Sequence, residues 1–131
     1  MTVMLKTLDQ VPGTGTIEGP QLSFEVHEVT AREIVCARVV TEVERYNSAD
    51  EPLPFVGLVT PAEPERTLNG PRRQRRPLDA ERQIDVALEA LRKRRVILMF
   101  NGVQVEDIDA PLLLTPVSEA RFLKLVPLVG G

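Results

Sequence analysis

The sequence predicts a single α+β domain over residues 1–131, on three observations. Strand-like alternation marks both ends of the chain, a capped amphipathic helix lies between them, and a Pro-rich interruption leads into a second capped helix. A chain of this length can bury roughly two thirds of the surface its unfolded form exposes, so no covalent staple is needed. With 43% hydrophobic and 27% charged residues the composition is that of a globular domain. Trp is absent, so the core is expected to rest on Val, Leu and Ile.

Each element has its own signal. Val3 to Leu8 is short and β-prone, and Asp9 to Pro20, with Pro12, Gly13, Gly15 and Gly19, reads as a long turn. The return strand is expected over Gln21 to Glu28, where Leu22, Phe24 and Val26 alternate with Ser23, Glu25 and His27. Thr30-Ala31-Arg32-Glu33 has capping-box spacing, with hydroxyl and carboxylate positioned to satisfy each other's amides. The helix it opens carries Val35, Val39, Val43 and Tyr46 at steps of three and four, flanked by Ile34 and Cys36, and runs to about Asn47.

Residues 48–95 read as an insertion. Six of the eleven prolines fall between Ser48 and Pro77, where Phe55 to Val59 is a candidate strand and Arg72 to Arg76 is the densest charge run. Asp79 then caps a helix whose apolar face is Ile84, Ala87, Leu88 and Leu91, with Arg92 to Arg95 at its negative end. Val96 to Phe100, Asn101-Gly102 and Val103 to Val105 form a hairpin, since Asn-Gly accepts positive φ at both central positions. A last strand is expected over Ala120 to Val126. Pro127, lacking an amide donor, should end it and leave 127–131 as a flexible extended tail.

Charge and composition exclude several functions. A formal net charge of −3 argues against a surface built for phosphate backbones, so nucleic acid is not an expected partner, and Arg72 to Arg76 is read as a solvated loop. No apolar run reaches membrane-spanning length, no secretory leader is evident, and one cysteine fits a reducing compartment; the expected location is the cytoplasm. Cys36 on a helix interior reads as a small hydrophobe, and His27, the only histidine, cannot anchor a histidine metal cluster or a catalytic triad. No catalytic or metal-binding residue and no bound cofactor is expected, and the chain is not read as an enzyme.

The order of elements, ending in Gly130-Gly131, resembles the ubiquitin-like β-grasp, a mixed sheet packed on a helix. Met1-Thr2-Val3-Met4-Leu5-Lys6-Thr7-Leu8 is similar to ubiquitin's first strand. Phe100, Gly102, Gln104, Glu106 and Asp107 fall on a matching pattern, at a distance from Gly131 that matches ubiquitin without a gap. The resemblance covers 1–47 and 96–131. The tail Leu125 to Gly131 also resembles those of bacterial sulfur carriers, the small subunit of molybdopterin synthase and the thiamine sulfur carrier.

This resemblance implies a protein modifier, bacterial in type, whose C-terminal Gly131 is adenylated by an activating enzyme using ATP. It would then pass through a conjugating enzyme as a thioester to target proteins, with a deconjugating protease reversing the bond. Leu128, Val129, Gly130 and Gly131 form the conjugation tail, whose glycines let other groups approach the backbone closely. Leu8, Met99 and Leu125 match ubiquitin's partner-binding patch, with Phe122 or Lys124 joining it, whichever faces outward. Period-2 alternation along Phe122 to Leu125 puts Leu123 and Leu125 inward and Lys124 outward. Lys6, Lys93 and Lys124, the only lysines, are the side-chain acceptors for chains. The alternatives are a sulfur carrier ending in a thiocarboxylate and a non-covalent β-grasp binding module.

Overall fold

A computed structural model describes residues 2–48, 57–61 and 79–130. The architecture is α+β, with a mixed six-stranded sheet and two helices, and is compatible with a β-grasp. The run Arg72 to Arg76, along with Phe55 and Val56, lies outside the described residues.

The N-terminal hairpin is longer than the sequence implies. Strand β1 (Val3–Val11) continues through the expected turn. The chain reverses only at Pro12 to Thr14, where Gly13 takes a φ of 81° and Gly15 one of 101°, values that favour glycine. Strand β2 (Gly15–Glu18) pairs antiparallel with the second half of β1, and β3 (Leu22–Phe24) with the first half. Between them Gly19 N donates to Thr7 O at 3.0 Å and Thr7 Oγ1 donates to Pro20 O at 2.6 Å, so the polar groups of this crossing are paired.

The return strand also differs from expectation. It bends after Phe24, and strand β4 (Glu28–Val29) leaves to pair with β8 (Leu112–Leu113). The bend breaks the alternation, and Val26, expected inside, is 52% exposed.

Helix α1 (Ala31–Ser48) starts as its sequence dictates. Thr30 N donates to Glu33 Oε1 at 2.9 Å and Glu33 N to Thr30 Oγ1 at 3.2 Å, a reciprocal capping box. Helix α2 (Ala80–Arg92) is capped by Asp79, whose side chain accepts from Glu81 N. Its Ala87 and Leu88 are buried, Ile84 and Leu91 are partly buried against the core, and the helix packs on α1.

Strand β6 (Val96–Phe100) turns through Asn101 (φ 51°) and Gly102 (φ 84°) into β7 (Val103–Gln104), the expected Asn-Gly hairpin. Strand β9 (Glu119–Lys124) closes the sheet, parallel to β1 and antiparallel to β6, giving the order β2-β1-β9-β6-β7 with β3 beside β1. Val3, Leu5, Val96, Leu98, Ala120 and Phe122 point from one face into the core with Ile34, Val35, Val39 and Val43 of α1. Each such aliphatic side chain, fully buried, contributes roughly 1.5–3 kcal/mol.

Besides β4 and β8, a second pair of short strands lies outside this sheet. Strand β5 (Thr60–Pro61) follows the buried Leu58 and Val59, and β10 (Val129–Gly130) pairs with it in parallel.

Candidate functional site

Where β1, α1 and β9 meet, four charged side chains form a largely buried network against the Phe122 ring. Arg38 is 1% exposed, and its guanidinium forks onto both carboxylate oxygens of Asp9, with Arg38 Nη2 donating to Asp9 Oδ2 at 2.7 Å. Arg38 Nε and Nη2 also donate to Glu42 Oε2 at 3.1 Å, and its Cζ lies 4.9 Å from the Phe122 ring centroid. Burial works against the Arg38 charge, but Asp9 and Glu42 outweigh it and hold the guanidinium above its ordinary pKa.

The network reaches the segment that precedes β5. Glu42 Oε1 accepts from Leu58 N at 2.9 Å, and Lys124 Nζ donates to Gly57 O at 3.3 Å while standing 3.8 Å from Asp9 Oδ2. The strand that pairs with the tail is thus tied to α1 and β9 by charge-assisted hydrogen bonds.

The C-terminal residues are placed accordingly. Instead of leaving the body at Pro127, the chain buries Leu128 at 5% exposure and pairs Val129 with Thr60 and Gly130 with Pro61. Helix α2 lies against this strand. Gly131 falls outside the described residues.

The expected partner patch is partly rearranged. Alternation in β9 has the opposite phase to the sequence reading: Phe122 is fully buried and Lys124 turns with it toward Asp9, while Leu125 is 44% exposed. The register explains it, because Phe122 pairs with Leu98 and with Asp9, both on the α1 face. Phe122 and Lys124 therefore do not belong to an outward patch. Leu8 lies on the opposite face, across from Arg121, but is only 7% exposed, covered within the sheet by its neighbours on β2 and β9.

That outer face nonetheless carries apolar residues together. Leu123 pairs with Ile97, and Met99 pairs with Arg121 and Gln104, all partly exposed. Leu123 was expected inward and stands on the outer face, and Ile97 was not singled out in the sequence. The signal that finds them is the alternation of β6, whose even positions are buried, so that Ile97 and Met99 are apolar residues on the wrong face for the core.

The lysines separate into two kinds. Lys6 and Lys93 are about half exposed in loose ion pairs with Glu18 and Glu89, whereas the Lys124 side chain is 19% exposed within the network. Cys36 is partly buried on α1, and burial pushes its thiol up. Among the described residues no group of His, Cys, Asp and Glu could hold a metal ion, and no helix is long and apolar enough to cross a membrane. A surface cavity of about 320 Å³ between α1, α2 and β6 is lined by Arg32, Val105, Ile108 and Asp109 among others, and its Arg32 and Asp109 neutralise each other. Comparisons of the chain with protein-family models, with curated proteins and with solved structures give no match.

Proposed function

We propose that this chain is a ubiquitin-like β-grasp modifier whose reactive group is the carboxylate of Gly131. The observation that carries the reading is the sheet order β2-β1-β9-β6-β7, with the first and last long strands parallel at its centre, α1 across one face, and a Leu-Val-Gly-Gly segment issuing from the last strand. This is the strand order a β-grasp has, and it joins the residue-level likeness at both ends of the chain. The partly exposed Ile97, Met99 and Leu123 supply a docking face for partner enzymes in place of the buried Phe122.

In this reading the chain is the acyl donor and not the catalyst. A carboxylate is a poor acyl donor, so the Gly131 oxygen attacks the α-phosphorus of ATP on an activating enzyme and releases pyrophosphate. A thiolate of that enzyme then attacks the acyl-adenylate, expelling AMP and leaving a thioester, from which an amine of a target protein takes the acyl group and frees the thiol. Attack on the adenylate by hydrosulfide in place of the thiolate, again expelling AMP, would yield a thiocarboxylate, the product of a sulfur carrier.

Intact mass spectrometry after incubation with the cognate activating enzyme and ATP tests the proposal. ATP-dependent thioester on the enzyme and isopeptide-linked products are expected, and both should vanish for the chain lacking Gly130 and Gly131. Equal product from the truncated chain would overturn it, and a thiocarboxylate without conjugates would reassign the chain to sulfur transfer.

A further inference from the structure

The tail and the segment it pairs with differ in how firmly each is held. Leu58 and Val59 are each 2% exposed, and the backbone at 57–58 is fastened by Glu42 to α1 and by Lys124 to β9. Strand β5 is therefore an extension of the folded body. By contrast β10 contributes two residue pairs, one of them opposite Pro61, which has no amide to donate. Among the side chains described after β9, Leu128 is the buried one, reached through Leu125, Val126 and Pro127, all exposed, with helix α2 alongside the strand.

A short ladder behind one apolar plug is an arrangement that opens locally without unfolding the domain. We propose that residues 57–61 form a cradle that holds the chain's own C-terminal tail against the body, so that the diglycine is presented only when Leu128 withdraws. The occupant is this chain's own segment 128–130, which the structure shows in place. Docking stands on the geometry alone, whereas its meaning as a brake on activation rests on the modifier reading. An enzyme that threads the tail through a narrow channel meets only the undocked fraction, and its apparent affinity for the chain falls by that fraction.

Nuclear magnetic resonance of the ¹⁵N-labelled chain tests docking with no activating enzyme present. The Val129 and Gly130 amides should be ordered, while opening more often than those of β9. Leu128→Ala should raise their opening by about 10–100-fold, the range set by burying one leucine side chain. Lys124→Met, which loosens the cradle and leaves the tail sequence intact, should act in the same direction by a smaller factor. Ile17→Ala, on the exposed β2, should change nothing at the tail. Unaltered Leu98 and Phe122 resonances establish that each variant is folded. Tail amides already as mobile in the parent chain as in a free peptide, or unaffected by Leu128→Ala, would overturn the cradle. A docked tail in a chain that no ATP-dependent enzyme activates would leave the cradle standing and remove the modifier reading instead. Where transfer does occur, Lys124→Met should lower the KM of the activating enzyme for the chain, and an unchanged KM would refute the brake.

Discussion

Arg38 on α1 and Asp9 on β1 meet as a two-pronged ion pair inside the domain, nitrogen for oxygen, with the arginine almost wholly withdrawn from solvent. A charge so placed is tolerable only while its partners remain, because the desolvation cost of the guanidinium persists when a carboxylate is removed.

Asp9→Asn should therefore destabilise the domain by about 3 kcal/mol, the lower end of the range for breaking a buried pair, because Glu42 continues to face Arg38. Replacing the arginine and its second carboxylate as well, in Arg38→Met with Asp9→Asn and Glu42→Gln, should recover part of that loss. Urea unfolding of the parent chain and the two variants measures both effects. A loss under 1 kcal/mol for Asp9→Asn would mean that the pair is solvated in solution.

Gly19 should resist substitution for a steric reason connected with the same network. A Cβ there would stand 2.6 Å from Thr7 Oγ1 and 3.4 Å from Arg38 Nη2, and the hydroxyl cannot yield without giving up its bond to Pro20 O. Gly19→Ala should cost about 1–3 kcal/mol, the usual range for overpacking. Thermal unfolding tests this, and an unchanged midpoint would show that the crossing relaxes freely.

Leu8 and Leu123 share the outer face of the sheet but should answer differently to truncation. Leu8→Ala removes a side chain 7% exposed and should cost about 2–3 kcal/mol in stability. Leu123→Ala, with Met99→Ala beside it, should leave stability within about 1 kcal/mol and weaken binding of an activating or conjugating enzyme about tenfold or more. Calorimetry on one sample series reads both quantities. The reverse assignment of effects would move the docking surface away from Ile97, Met99 and Leu123.

Asp109 offers a pH test. Hydrogen bonds from the Arg32 guanidinium hold the Asp109 carboxyl below the usual aspartate range, so the folded state binds its proton less readily than the unfolded chain does. The stabilisation from this pair is present above the unfolded aspartate pKa and is lost as pH falls through the lower, folded value. Carboxyl NMR should show an Asp109 midpoint below the model aspartate, and Arg32→Ala should return it upward. Coincident midpoints in the two proteins would show that the pair is not formed.

The sequence was most informative where structure is set by adjacent residues. The Thr30–Glu33 box, the Asp79 cap and the Asn101-Gly102 turn are each closed by groups a few positions apart, and all three form as the sequence implies. Strand phase in β9 was harder, because apolar residues lie on both faces: Phe122 points to the core and Leu123 away from it, so alternation alone has no preferred reading. Arg38 and Glu42 escaped notice because charges on a helix are ordinarily assigned to solvent. Their clue was position, since Arg38 falls four residues after Ile34 and three after Val35, on the stripe that the valines define. The docked tail was beyond reach for another reason. It joins Val129 to Thr60, residues distant in sequence and linked by no local signal, and a proline before a diglycine reads as an ending wherever it occurs.

The attachment of Lys124 bears on where a polymer of this chain could grow. Acylation of its Nζ would cancel the positive charge beside Asp9 and place a bulky group where the amine now reaches Gly57 O. On the modifier reading, branching at that position would therefore loosen the seat of the terminus, whereas Lys6 and Lys93, about half exposed, stand away from it. Of the three candidate acceptors, that one would double as a latch, and linkage through it would favour a chain whose own end is free.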